Sequence, residues 1–267
     1  MTRVITFVLL ITLFNYNSFG QKQNTKSVLN NQIIDASIFN GLKFRNLTPA
    51  RTSGRVVDVA IHPKNKSIRF VAVASGGVWK TTNAGTTWTP VFDNQGSYSI
   101  GTVEIDKNNP MIVWVGAGEN NAQRSVSKGD GIYKSTDGGN SWKNMGLKTS
   151  EHIGKIAIHP SNSDIVYIAS QGSVWKGGGE RGLYKTIDGG NTWERVLHIS
   201  DDIGISDVTL DPRNPDILIA SAYQRRRHFG ILVGGGSEGG AFKSVDEGKT
   251  WEKLKGGFPQ GEDRKST

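Results

Sequence analysis

The chain has 267 residues, 34 of them Gly and seven Trp, no Cys, and 32 Lys and Arg against 24 Asp and Glu for a formal charge of +8. Without Cys there can be no disulfide, thiolate metal site or Cys nucleophile, and 36% hydrophobic residues with that much Trp exclude a disordered chain. Average usage would give only about 19 Gly, so tight turns are many; the basic residues are scattered, the pattern of a solvated surface rather than of a nucleic-acid site.

Residues 1–20 read as a secretory signal peptide. Arg3 precedes the apolar run Val4 to Phe14, and Ser18 and Gly20 put small residues just before Gln21. The run is too short to span a bilayer, and no later stretch is long enough, so the expectation is a protein that is secreted, periplasmic or on the cell surface, with no transmembrane segment in the mature chain. Residues 21–40 are a lead segment. From 41 to 260 one pattern recurs four times, and 261–267 form a C-terminal tail.

In each recurrence an apolar run ends at a polar turn: Val56 to Ile61, Ile100 to Ile105, Ile153 to Ile158 and Ile205 to Leu210. A second run follows: Ile68 to Ala74, Met111 to Val115, Ile165 to Ala169 and Ile217 to Ala220. A third strand then carries an aromatic residue and a lysine (Trp79-Lys80, Tyr133-Lys134, Tyr184-Lys185, Phe242-Lys243) into a box of the form Ser/Thr-x-Asp/Asn-x-Gly-x-Ser/Thr-Trp. The boxes hold Asn83 and Trp88, Asp137 and Trp142, Asp188 and Trp193, and Asp246 and Trp251. Each box is a β-turn: the side-chain oxygen of its Asp or Asn accepts the turn's own N–H groups, Gly takes φ > 0, and Trp opens a fourth strand. Repetition on one turn assigns these side chains to folding rather than to catalysis or metal binding. Four antiparallel strands per unit of about fifty residues describe a β-propeller blade, so the fold class is all-β, a propeller of four-stranded antiparallel blades.

Phe44 in the segment Gly41 to Pro49 occupies the place of a box Trp, as if that segment were a fourth strand without its own blade. The expectation is an incomplete ring of about four blades, the N-terminal part of a longer propeller, with exposed edges prone to association. Long connections between second and third strands, Gly116 to Asp130, Gln171 to Arg181 and Tyr223 to Gly240, gather on the face opposite the boxes. They mark it as the ligand face. The candidate ligand-binding residues there are Arg51, Arg55, Glu119, Asn120, Asn121, Arg124, Arg225, Arg226, Arg227 and His228, an Arg-rich set suited to carboxylate, sulfate or phosphate. Along the first strands, alternation puts Val57, Val59 and Ile61 on one side and Asp58 on the channel side, with Thr102, Lys155 and Asp207 at matching positions; Asp58 and Asp207 are a conceivable acid/base pair. No catalytic residue, metal site or cofactor is assigned.

The boxes resemble the Asp-boxes of bacterial-neuraminidase-repeat proteins. With Ser75 to Lys80, Gly116 to Asn120 and Gly129 to Ser135, the text resembles exported bacterial proteins whose propeller is related to sortilin and, through kinship, to xyloglucanases. The resemblance covers about residues 42–260. It implies a module that binds protein, peptide or glycan, or serves as a scaffold, without nucleic acid; the alternative is part of a xyloglucanase-like glycoside hydrolase. In that family a catalytic Asp looks to sit two residues before a Gly-Gly pair, where this chain has Ala74 ahead of Ser75-Gly76-Gly77. Enzyme activity of this chain alone is therefore not expected.

Overall fold

The computed structural model describes residues 54–121 and 126–256. The expected signal peptide, the lead segment, Phe44 to Leu47, Arg51, Arg124 and the tail 261–267 lie outside the described residues.

The described residues fold as four sheets of four antiparallel strands and no helix, each sheet a meander in chain order. Blade one comprises β1 (Val56–Ile61), β2 (Arg69–Val73), β3 (Gly77–Thr81) and β4 (Thr89–Pro90). Blade two comprises β5 (Ile100–Ile105), β6 (Val113–Ala117), β7 (Ile132–Ser135) and β8 (Lys143–Asn144). Blade three comprises β9 (Ile153–His159), β10 (Asn162–Ser170), β11 (Gly182–Thr186) and β12 (Glu194–Leu197). Blade four comprises β13 (Ile203–Leu210), β14 (Leu218–His228), β15 (Ile231–Ser244) and β16 (Glu252–Lys253).

The first strands β1, β5, β9 and β13 stand side by side in series. Three apolar clusters fill the spaces between successive blades. Phe70, Ala72, Phe92, Val103 and Val115 lie between blades one and two. Trp114, Ile132, Ile156 and Ile168 lie between two and three, and Tyr167, Ala169, Ile205, Val208 and Ala220 between three and four. No described cluster joins blade four to blade one, so the blades form an open arc. Burial along the second strands says the same. All five residues of β6 are buried because a blade packs on each face. In β14, Leu218, Ala220 and Ala222 are buried while Ile219, Ser221 and Tyr223 are exposed, the alternation of a sheet covered on one face only.

The four box turns share one geometry. Asp137 Oδ1 accepts the N–H groups of Asn140 (2.9 Å) and Ser141 (2.8 Å), and Oδ2 accepts the Ser141 hydroxyl (2.6 Å). The Ser135 hydroxyl donates to Asp137 Oδ1 (2.8 Å) and accepts the Gly139 N–H (2.8 Å). Asp188 and Asp246 repeat this with Thr186 and Thr192, and with Ser244 and Thr250. Asn83 substitutes its amide, accepting the Thr87 N–H and donating to the Thr87 hydroxyl, each at 2.9 Å. These bonds favour the ionised form and hold Asp137 and Asp188 well below the usual carboxylate range, with Asp246 at about 2. The box Gly is needed twice over: Gly190 has φ +96°, and a Cβ there would stand 2.6 Å from the Trp114 ring of the preceding blade.

Two expectations fail. The stretch Tyr223 to Gly240 is not a loop: β14 and β15 continue as a paired hairpin, Arg225 opposite Gly234 and His228 opposite Ile231, turning at Phe229 and Gly230. Four residues, 236–239, bulge out opposite Tyr223 and hid the pairing from a reading by alternation. In β1 a bulge at Val57 shifts the alternation, so Val57 packs on the first cluster and Ala60 is buried, while Val59 and Ile61 are exposed.

Candidate functional site

In a meander the β2–β3 type of connection and the start of each first strand share one face, and the box turns lie on the other. On the first of these faces, four titratable side chains leave the solvent. Glu119, 1% exposed, pairs with Arg55, which enters β1 from solvent. Arg225 in β14 is buried, and its Nη1 donates to the Asn120 carbonyl, tying blade four to the blade-two connection. Arg181 ahead of β11 is wholly buried and donates to the carbonyls of Gln171, Ser173 and Lys176. His152 ahead of β9 is buried as well.

Burial and neighbouring positive charge dominate the electrostatics of Arg225 and His152. Burial, with Arg227 and Arg181 nearby, pushes the Arg225 guanidinium down to about 10. Burial, Arg225 and Arg181 together push His152 down to about 3, so it is neutral at physiological pH. Neither Arg181 nor Arg225 has a carboxylate hydrogen-bond partner among the described residues. Arg225 Nε and Nη2, His152 Nδ1, Asn120 Oδ1 and Gln171 Oε1 are buried without a hydrogen-bond partner in the described structure. A buried guanidinium with unbonded donors, as in Arg225, favours an anionic group or bridging waters.

The remaining candidates divide by position. Arg226 pairs with Asp202 at the start of β13. The Arg227 N–H donates to the Val174 carbonyl (2.7 Å), so the hairpin arm is tied near its tip to the blade-three connection. His228 is exposed near the tip, where Phe229, Ile231 and Leu232 are exposed too. Asn121 is exposed, and Asn120 Nδ2 faces the Ser206 carbonyl at 3.5 Å. The structure thus brings Asn120 and Arg225 together, and separately Arg55 and Glu119, but two of these four are buried rather than presented. Sequence reasoning missed His152 altogether. Its position, one residue before a first strand, holds Ser99 in blade two, and nothing in a single sequence marks the burial that makes it notable.

A second polar group lies along the first strands at the box end of the channel. A cleft of about 310 Å³ is lined by Glu104, Lys107, Lys155, His159 and Thr209, with apolar walls from Ile156 and Leu210. Burial pushes the Glu104 carboxyl up; Lys155 opposes and Asp58 adds to the rise. Asp58 is not free in the channel: its Oδ2 accepts the Thr102 hydroxyl (2.7 Å) and the Val103 N–H (3.1 Å) of the next blade. Asp207 is exposed. The period of two that selected Thr102 also selects Glu104 in the same strand, a signal that was there to be used. Among the described residues no group of three or more His, Asp or Glu is placed to hold a metal ion, and no helix is long and apolar enough to cross a membrane.

The Sortilin-Vps10 family model ("Sortilin, neurotensin receptor 3") matches residues 130–262. The xyloglucanase of Hypocrea jecorina is 27% identical over 57% of this chain and 19% of its own length. Xyloglucanase Xgh74A of Acetivibrio thermocellus is 25% identical over 77% of this chain and 26% of its own length. The chain therefore spans about a quarter or less of these relatives. Among solved structures, an ancestral GH74 enzyme superposes with a TM-score of 0.57 at 21% identity, over 76% of this chain and 24% of that one. The Niastella koreensis GH74 enzyme superposes with a TM-score of 0.53 at 25% identity, over 73% and 28%. Fold and comparisons agree: the chain is a β-propeller, similar over its second half to the Sortilin-Vps10 family and across most of its length to GH74 xyloglucanases.

Proposed function

We propose that the chain is an exported propeller module that binds a protein, peptide or glycan bearing an anionic group, on the face opposite its box turns. The observation that carries this reading is the pair of buried guanidinium groups, Arg181 and Arg225, with no carboxylate bonded to either and with Arg225 Nε and Nη2 unbonded. Arg55, Asn121 and His228 stand at the exposed margin of that face, with Arg226 and Arg227 along the arm beside His228. Arg51 and Arg124 extend the set in sequence. Export rests on the N-terminal segment 1–20. The box carboxylates take no part in recognition, since their oxygens are committed to their own turns. The test is an array of peptides and of neutral, carboxylated and sulfated glycans, probed with the wild-type protein and with Arg225→Gln.

A second reading is a xyloglucanase-like glycoside hydrolase of which this arc is one part; the named relatives favour it. Against it, Ala74 is buried, with its N–H donating to the Arg55 carbonyl (2.9 Å), at the place where the resemblance looks for a catalytic Asp. Glu104, with its raised carboxyl beside Lys155, is the acid this reading would use. Release of reducing ends from xyloglucan, lost in Glu104→Gln, would favour the hydrolase; none from wild type favours the binding module.

A further inference from the structure

Each junction between blades repeats one contact on the box side. Lys80 donates to the Gly138 carbonyl in the box of blade two (2.7 Å), Lys134 to the Gly189 carbonyl in the box of blade three (2.9 Å), and Lys185 to the Glu247 carbonyl in the box of blade four (3.2 Å). The accepting residue also donates its own N–H to a carbonyl near the start of its blade's second strand: Gly138 to Met111 (2.8 Å), Gly189 to Asp164 (3.0 Å) and Glu247 to Asp216 (3.0 Å). The same three positions therefore meet at every junction and differ only in side chain. Between blades one and two, the Met111 thioether covers the glycine: its Sδ and Cε stand 3.6 Å from where a Gly138 Cβ would be. Between blades three and four, the Glu247 side chain occupies the space, and its carboxylate pairs with Lys185 (3.0 Å).

Between blades two and three neither filling is present. Position 164 holds a short Asp where blade two has Met111, and position 189 holds Gly where blade four has Glu247. The result is a groove of about 420 Å³ between two box turns, lined by Thr136, Trp142, Lys143 and Asn191 with Lys134 and Asp164 on either side of Gly189. A Cβ at Gly189 would stand 3.0 Å from Lys134 Nζ and 3.1 Å from Asp164 Oδ1. The two opposite charges share this opening without pairing, and among the described residues the Asp164 carboxylate accepts no hydrogen bond. Lys134 uses one of its three N–H groups on the Gly189 carbonyl. Burial pushes its ammonium down, and Asp164 is first among the charges that oppose this. Blades two and three each have a described blade on both flanks, so the groove is an interior feature of the arc.

We propose that this groove is a second binding site, for a neutral saccharide. A ligand of net negative charge meets Asp164 and Asp188 there, and one of net positive charge meets Lys134 and Lys143, so charge of either sign is opposed. A sugar offers adjacent hydroxyls that donate and accept at once: one accepts from Lys134 while its neighbour donates to Asp164, and both groups are satisfied by a neutral molecule. The half-buried Trp142 ring gives an apolar wall, and Thr136 and Asn191 add polar contacts, the mix of aromatic wall and few placed polar groups that small-molecule sites use. The groove lies on the box side and shares no residue with the Arg-rich face. An open groove holds one sugar unit at about millimolar strength, too weakly to be retained on a washed array, so the two sites answer to different experiments.

The experiment is titration of the isotopically labelled chain with the methyl glycosides of glucose, galactose, mannose and xylose, followed by its amide and indole N–H resonances. At least one glycoside is expected to give saturable shifts with a millimolar midpoint at Gly189, Gly190 and the Trp142 indole, and none at Glu247 and Gly248 in the box of blade four. Asp164→Asn is expected to weaken binding at least about ten-fold, the scale of a hydrogen bond to a charged group, while Asp216→Asn, at the same position in blade four, leaves it unchanged. Gly189→Glu is expected to abolish binding, because it supplies the side chain that fills the next junction; the backbone accepts it, with φ +69° at Gly189 and +60° at Glu247. No saturable shift with any glycoside, full affinity in Asp164→Asn, shifts retained in Gly189→Glu, or equal shifts from the zwitterion glycine would overturn the proposal. Circular dichroism of each variant separates loss of binding from loss of folding.

Discussion

Replacing Trp193 by Ala tests the contact that a box Trp makes with the preceding blade. The ring is half-buried in the cluster between blades two and three, packs edge-on to Trp114 at 6.1 Å, and donates to the Met145 carbonyl at 2.8 Å. A fully buried aromatic lost to Ala costs about 3–5 kcal/mol; partial exposure lowers this to about 2–4 kcal/mol. Within that figure the edge-on pair contributes about 1 kcal/mol and the hydrogen bond about 1 kcal/mol. Trp193→Phe keeps most of the packing and loses the bond, so about 1 kcal/mol is expected. Trp88 occupies the same box position in blade one but is 38% exposed, and its indole donates to no carbonyl among the described residues. Trp88→Ala is therefore expected to cost less than about 1 kcal/mol. Urea unfolding followed by far-UV circular dichroism gives the three values, with constant slopes showing that the denatured reference has not moved. Equal costs for Trp88→Ala and Trp193→Ala would refute the interblade account, because among the described residues Trp193 bonds and packs on a preceding blade and Trp88 does not.

Gly190→Ala is expected to lower the melting temperature more than Gly230→Ala: both have positive φ, but a Cβ at 190 meets Trp114 at 2.6 Å while one at 230 meets nothing within 4 Å. Equal shifts would show that backbone conformation alone decides the cost. Stability is expected to fall as pH drops below about 6.5, because the unfolded chain protonates His152 there while the folded chain resists to about 3. It falls further as the depressed box carboxylates titrate, with Asp246 at about 2 in the fold; the raised Glu104 opposes weakly. His152→Gln is expected to flatten the limb between pH 6.5 and 4 in urea midpoints and leave the acid limb intact, and a wild-type midpoint constant from pH 7 to 4 would contradict this. Glu119→Gln is expected to destabilise the chain more than Arg55→Gln, since Glu119 is buried while Arg55 returns to solvent; thermal melts compare them.

The strands and turns were legible because each blade repeats the same chemistry. Val56 to Ile61 and Ile100 to Ile105 coincide with β1 and β5, and the box residues announce a turn by their side-chain acceptors and Gly. What the sequence could not carry is which face of each blade is covered. Ile219 and Tyr167 are both apolar at the same register position, yet one is exposed and the other buried, because coverage depends on a neighbour and not on the residue. The same limit explains the ligand face. The run of Arg reads as part of the ligand face, but Arg225 lies past the register shift after Ala222, out of step with the inward positions before it, and is a buried tie to Asn120, while Arg226 pairs with Asp202. The hairpin itself was hidden by Gly-rich residues in β15 that carry no alternation, and the bulge at Val57, repeated at Gly101, Gly154 and Ser206, shifts the period near the start of every first strand.

The central claim, that recognition belongs to the face opposite the boxes, is tested most directly by binding isotherms for the strongest array ligand against two variants of matched stability. Arg225→Gln is expected to weaken binding at least about ten-fold, the scale of one lost charged hydrogen bond, and to reduce the salt dependence. Lys134→Gln, beside the box turn of blade three, is expected to leave the isotherm unchanged. Binding lost in Lys134→Gln and retained in Arg225→Gln would place the ligand on the box face and contradict the account.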